Sequence, residues 1–341
     1  MAILDSRYKL DYINIFLLFF SCALAFLVPF EMFLIAYGVL GPLHYLTEIS
    51  WLHDKNYYSK DRRDVILLVV ISFLMTFLFV MQKHYPYWLA TYIKPEYQVA
   101  GSLTYIAFGS ALFMAFIRKP FIKLIGIALL ILTVSLSHHI ISFFTVFLPT
   151  LVHVYVFTTL FMLYGALKIK SKPGYLSVLV HIVCPFLLYL LFPASNISSS
   201  NGIDMYTKSD FAGLNQYIYF NYFHEATEGA FTQDNFMSMV FNSQAGIAIM
   251  RFIAYAYTYH YLNWFTKTEV IKWHKMPKQR AFFIAICWLV SVGLYAYSYS
   301  IGFQWLFLLS FMHVLLEFPL NYISFVGIFS ELGFKRLITA K

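Results

Sequence analysis

Ten long apolar runs, separated by short polar corners, leave this chain little choice but a bundle of membrane-spanning helices. They lie at about 11–28, 30–50, 65–82, 98–117, 121–138, 143–167, 175–192, 236–264, 281–300 and 303–327. Each is long enough to cross a hydrocarbon core of about 30 Å with some tilt. Pro29 divides the first two, and the corner Ser137-His138-His139 divides the fifth and sixth. With 60% hydrophobic and 12% charged residues over 341 positions, the composition excludes an ordinary soluble domain. The expectation is an all-α, polytopic transmembrane bundle of about ten spans, a single integral-membrane domain over 1–341 with an outer cap segment at about 193–235.

The net charge of +8 invites a nucleic-acid reading, but the basic residues cluster in the short loops between apolar runs, where the positive-inside rule puts them. With the N-terminus inside, twenty of the twenty-four Lys and Arg fall on inner segments; Lys83, Lys94 and Lys208 fall outside, and Arg251 lies within a span. That asymmetry places both termini in the cytoplasm, with a bacterial cytoplasmic (inner) membrane as the expected location. Membrane lipids are the implied surroundings, with no nucleic acid as partner. Cys22, Cys184 and Cys287 all lie in apolar runs with no paired spacing, which suggests neither a disulfide framework nor a thiolate metal motif. No cleavable signal peptide is evident. In the outer segment, 194–202 reads as a flexible polar loop and 211–231 as an aromatic, amphipathic cap.

Ionisable residues inside the spans carry the functional signal, because facing lipid would cost each of them several kcal/mol. His44 and Glu48 are four residues apart, one turn on a helix, and His313 and Glu317 repeat the arrangement. A carboxylate beside a histidine ring fixes its tautomer and leaves the other nitrogen for a metal. His153 follows Pro149 by one turn, where a kink opens the helix. His153 and His313 should share a depth near the midplane, with His44, Glu48 and His260 nearer the cytoplasmic face. His181 on the seventh span approaches that inner layer.

The eighth span runs Arg251-Phe-Ile-Ala-Tyr255-Ala-Tyr257-Thr-Tyr259-His260-Tyr261-Leu-Asn263-Trp264. Nine residues separate Arg251 from His260, about 180° around a regular helix, so one pocket does not take both. His260 is the candidate ligand, and Arg251 the partner of a buried carboxylate or an anionic substrate group. Tyr255, Tyr257, Tyr259 and Asn263 are candidate substrate or supporting contacts. Each group also has a structural alternative: interhelical hydrogen bonding for the histidines, a plain kink at Pro149, and an interfacial belt for Trp264 and its tyrosines. A second constellation, His138, His139, His224, Glu225 and Glu228, falls on the outer side, with a role left open. His224-Glu225-x-x-Glu228 lacks the second histidine of the zincin pattern.

Gly41-Pro42-Leu43-His44, with Glu48 one turn later, resembles the early Gly-x-Pro-His segment of the Brp/Blh-type carotenoid dioxygenases, within the wider group of histidine-rich integral-membrane non-haem iron oxygenases. The resemblance covers short motifs only. The family's His-x-x-x-His cluster is absent, as is the His-x-x-His-His cluster of the desaturases. The resemblance implies oxidative chemistry at non-haem iron on a lipid-soluble small molecule that enters from the bilayer, with inward histidines such as His260 and His313 as further ligands.

The leading expectation is therefore a metal-dependent membrane oxidoreductase. His44, His153, His260 and His313 are its ligands, with Glu48 and Glu317 as ligands or supporting acceptors; imidazole and carboxylate suit iron. Three rivals remain open. The same residues relay protons or ions in a transporter. His153 and His313 serve as axial ligands of haem b in an electron-transfer subunit. Or the buried polar groups only hold together a metal-free subunit of a larger membrane complex.

Overall fold

The computed structural model describes residues 8–55, 62–92, 99–117, 119–134, 143–190, 198–209, 211–212, 214–215, 233–267 and 276–334. No strand occurs among them. Among the described residues, seven helices are long and apolar enough to cross a bilayer: Lys9–Leu27, Pro29–Lys55, Arg62–His84, Leu148–Ile169, Lys172–Leu190, Lys278–Tyr297 and Tyr299–Glu331. Gly101–Phe116 and Pro120–Thr133 are apolar but shorter. The eighth expected run forms the helix Gln244–Thr266, whose Arg251, His260, Asn263 and tyrosines set it apart from the seven. Phe73, Phe77, Phe121, Leu132, Phe282 and Phe283 are exposed on apolar helices, a surface that suits lipid and not water. These are the marks of a multi-pass membrane protein.

Two compact units divide the chain: Met1–His44 with Met162–Phe303, and Tyr45–Phe161 with Gln304–Lys341. In the first unit, α1 (Lys9–Leu27) ends because Val28 leaves helical geometry at φ −137°, ψ 65°, the extended bias of a residue before proline. Pro29 then opens α2 (Pro29–Ile35) at a position where its missing N–H costs nothing. A π-helical turn, Ala36–Leu40, joins α2 to α3 (Gly41–Lys55). The Val39 carbonyl in this turn accepts a hydrogen bond from Trp288 Nε1 at 2.8 Å, so a side chain outside the helix satisfies it.

The second unit contains α4 (Arg62–His84), α5 (Pro86–Tyr92), α6 (Val99–Phe116) and α7 (Pro120–Thr133). Asp64 and Lys123 form an ion pair between the first turns of α4 and α7. A long π-helical stretch, Phe143–Phe157, surrounds Pro149. Proline removes one N–H and clashes with the carbonyl a turn back; widening the backbone over several turns accommodates both without a sharp break. The stretch packs on α6 and runs on as α8 (Thr158–Ile169).

In the first unit again, α9 (Lys172–Leu190) packs along α1, and the free thiols of Cys22 and Cys184 are neighbours on that seam. Part of the expected polar loop is helical instead, as α10 (Ser200–Thr207). Ser199 caps it, accepting from Gly202 N at 3.0 Å, while Glu31 accepts from the Ser199 N–H at 2.6 Å and its hydroxyl at 2.9 Å. Cap and carboxylate anchor what composition alone marks as loose. Tyr206 on α10 is buried and donates to Asn215; burial pushes its hydroxyl pKa up, so it stays a neutral donor. After α11 (Gln233–Asn242) comes α12 (Gln244–Thr266), which packs on α1, α2, α9, α11 and the Ala36–Leu40 turn. It is the central helix of its unit. The last two helices are α13 (Lys278–Tyr297) and α14 (Tyr299–Glu331). Most of α14 belongs to the second unit, where Phe307 stacks on Phe79 and both Phe311 and Phe318 contact Phe108.

Candidate metal centre

The second unit brings two histidines and two carboxylates together. His153 comes from the widened helix after Pro149, Glu48 from α3, and His313 and Glu317 from successive turns of α14. All four are 1–3% exposed. His153 Nδ1 lies 2.8 Å from Glu317 Oε2. The His153 and His313 ring centroids are 5.1 Å apart and nearly perpendicular. Glu48 and His313 offer ligand atoms within 4.8 Å of each other. Tyr45 stacks on His313 at 4.3 Å and fixes the ring plane.

The His313 ring nitrogens have assignable roles. His313 Nδ1 faces the Leu309 carbonyl at 3.3 Å; a carbonyl only accepts, so the proton is on Nδ1 and the lone pair on Nε2. The Glu317 carboxylate lies beside His153 Nδ1 at 2.8 Å, an ion-pair contact across the unit. Carboxylate–histidine and carbonyl–histidine pairs of this kind orient metal-binding imidazoles. Imidazole nitrogens and carboxylate oxygens gathered in a buried place are donors that suit a divalent cation.

In the first unit, His44 and His260 face one another through their Nε2 atoms at 3.1 Å. Trp264, one turn beyond His260, lies edge-on to the His44 ring at 5.4 Å, and Tyr261 tilts against it at 5.1 Å. Within α3 itself, His44 is one turn before Glu48, as the spacing requires. His181 Nδ1 is 2.8 Å from the Tyr255 hydroxyl, and Tyr259 donates to Met162 Sδ at 3.3 Å. Tyr257 packs edge-on against Phe33, and Asn263 is buried on α12.

Arg251 is buried with its guanidinium 4.1 Å above the Phe26 ring, a cation–π contact in a dry environment. His138, His139, His224, Glu225 and Glu228 lie outside the described residues. Sequence spacing identifies both His–Glu pairs on their helices, but not Tyr45 or the Leu309 carbonyl, which carry no chemical signature in one dimension. The meeting of Cys22 and Cys184 is equally hidden by their distance in sequence. Comparison with family descriptions, curated proteins and solved structures finds no match.

Proposed function

We propose that this protein is an integral-membrane, metal-dependent oxidoreductase that uses non-haem iron and dioxygen on a lipid-soluble substrate. The observation that carries the reading is the buried convergence of His153, His313, Glu48 and Glu317. Two imidazoles and one carboxylate are the donor types that suit ferrous iron and leave positions open, and Glu48 and His313 offer ligand atoms within 4.8 Å of each other. Bound iron would supply dioxygen activation. Glu317 lies against His153, Tyr45 and Leu309 hold His313, and the apolar helices around them exclude water. The motif Gly41-Pro42-Leu43-His44 supports the same class by resemblance. The ten-span topology, with both termini in the cytoplasm of a bacterial inner membrane, rests on the distribution of basic residues.

Haem b fits less well. Two imidazoles on opposite faces of one iron need ring centroids roughly 6 Å apart, given metal–nitrogen bonds of about 2 Å; the 5.1 Å between His153 and His313 is shorter. Proton- or ion-coupled transport is favoured by one observation, the His44–His260 contact at 3.1 Å, through which a proton passes between rings. Metal analysis, an optical spectrum and dioxygen uptake on the detergent-purified protein separate these readings. The expected result is stoichiometric iron with no Soret band and dioxygen uptake on adding lipid extract. A Soret band, or proton flux in liposomes without metal, would overturn it.

A further inference from the structure

A second site lies at one end of the α1–α9 seam. Tyr8, Tyr12, Lys170, Lys172, Pro173 and Leu176 line an open cleft of about 460 Å³. Both lysines are exposed, and among the described residues no carboxylate lines the cleft. The adjacent acid, Asp11, accepts a hydrogen bond from the Ser171 hydroxyl, which also accepts from Gly174 N at 3.0 Å and so caps α9. Asp11 is thus engaged in joining α1 to the α8–α9 corner.

Lys170 sits at φ +52°, in the left-handed region where glycine is the usual residue. The chain carries a long cationic side chain where backbone preference alone favours none. From the cleft, Leu176, Leu179, Val183 and Phe186 continue along one face of α9, and all four are exposed. Their spacings of three and four residues keep them on one stripe. The cleft therefore combines ammonium groups, tyrosine hydroxyls and an apolar track leading from it along a membrane-spanning helix.

We infer that this cleft binds the phosphate of an anionic phospholipid headgroup, with Lys170 and Lys172 as its cations and the acyl chain laid along the α9 stripe. Lysine binds phosphate as a compact point charge, and basic pockets between transmembrane helices take anionic headgroups in the same way. The apolar track is what assigns the phosphate to a lipid and not to a soluble ion.

The test is native mass spectrometry of the full chain released from nanodiscs with phosphatidylglycerol or phosphatidylcholine, with inorganic phosphate as a third arm. Retained phosphatidylglycerol is expected in preference to phosphatidylcholine and undisturbed by millimolar phosphate. Its affinity should fall about fivefold for Lys170→Gln or Lys172→Gln and roughly thirtyfold for the pair. The Lys170→Arg, Lys172→Arg pair should retain binding, as should Lys278→Gln, which changes an exposed lysine elsewhere. Equal retention of both lipids, unchanged affinity in the double glutamine variant, or displacement by inorganic phosphate would overturn the proposal. Metal content stays constant in all these variants, so the outcome is independent of the metal centre.

Discussion

At the residue scale, Glu317 is the most informative side chain. Its carboxylate faces His153 at 2.8 Å, so Glu317→Gln keeps the volume while removing the charge beside the ring. Loss of such a partner typically weakens metal affinity by about 10–100-fold; a chelator titration of the iron-loaded protein should show that drop with the fold intact. Gly302 tests packing and not chemistry. A Cβ there would lie 2.5 Å from Tyr295 Cγ and 2.9 Å from its Cα, so Gly302→Ala should destabilise the first unit by about 1–3 kcal/mol, seen as a lower midpoint in a detergent thermal scan. The His–Glu spacing is legible in the sequence because helical periodicity alone places those groups on one face. The identity of the partners is not, since His153 reaches Glu317 across 164 positions (317 − 153) and no local pattern encodes that.

At the element scale, two π-helical segments accompany the candidate histidines: Ala36–Leu40 before His44, and Phe143–Phe157 around His153. Each resets the register of the turns beyond it, since an i→i+5 turn rotates downstream side chains relative to a regular helix. Pro149 signals a distortion, but its form, a widening over many residues instead of a kink, depends on packing against α6. Pro149→Ala should let the helix tighten, turn His153 away from Glu317 and weaken metal retention while leaving helix content by circular dichroism unchanged. Ser199 offers an independent check. Ser199→Ala removes the α10 cap and one Glu31 contact, at a cost of about 1 kcal/mol, and amide exchange across Ser200–Thr207 should accelerate accordingly.

At the scale of the whole molecule, the apolar runs make the helical, multi-pass architecture legible in the sequence alone. The polar load of α12 explains why that helix stands apart: the residues that lower its hydropathy, Arg251, His260 and Asn263, are buried in its own unit. Basic residues carry the proposed orientation. With Cys22, Cys184 and Cys287 replaced, Lys172→Cys and Lys278→Cys should label from one side of the membrane and Lys83→Cys from the other. The proposed buried metal centre is tested most directly by the iron content of purified wild type against His313→Ala, Glu48→Gln and a Lys278→Gln control. Close to one iron per chain is expected in wild type and control, with a loss of at least about tenfold in the two site variants. Equal iron in all four, or none in wild type purified without chelators and reloaded anaerobically with Fe(II), would contradict it.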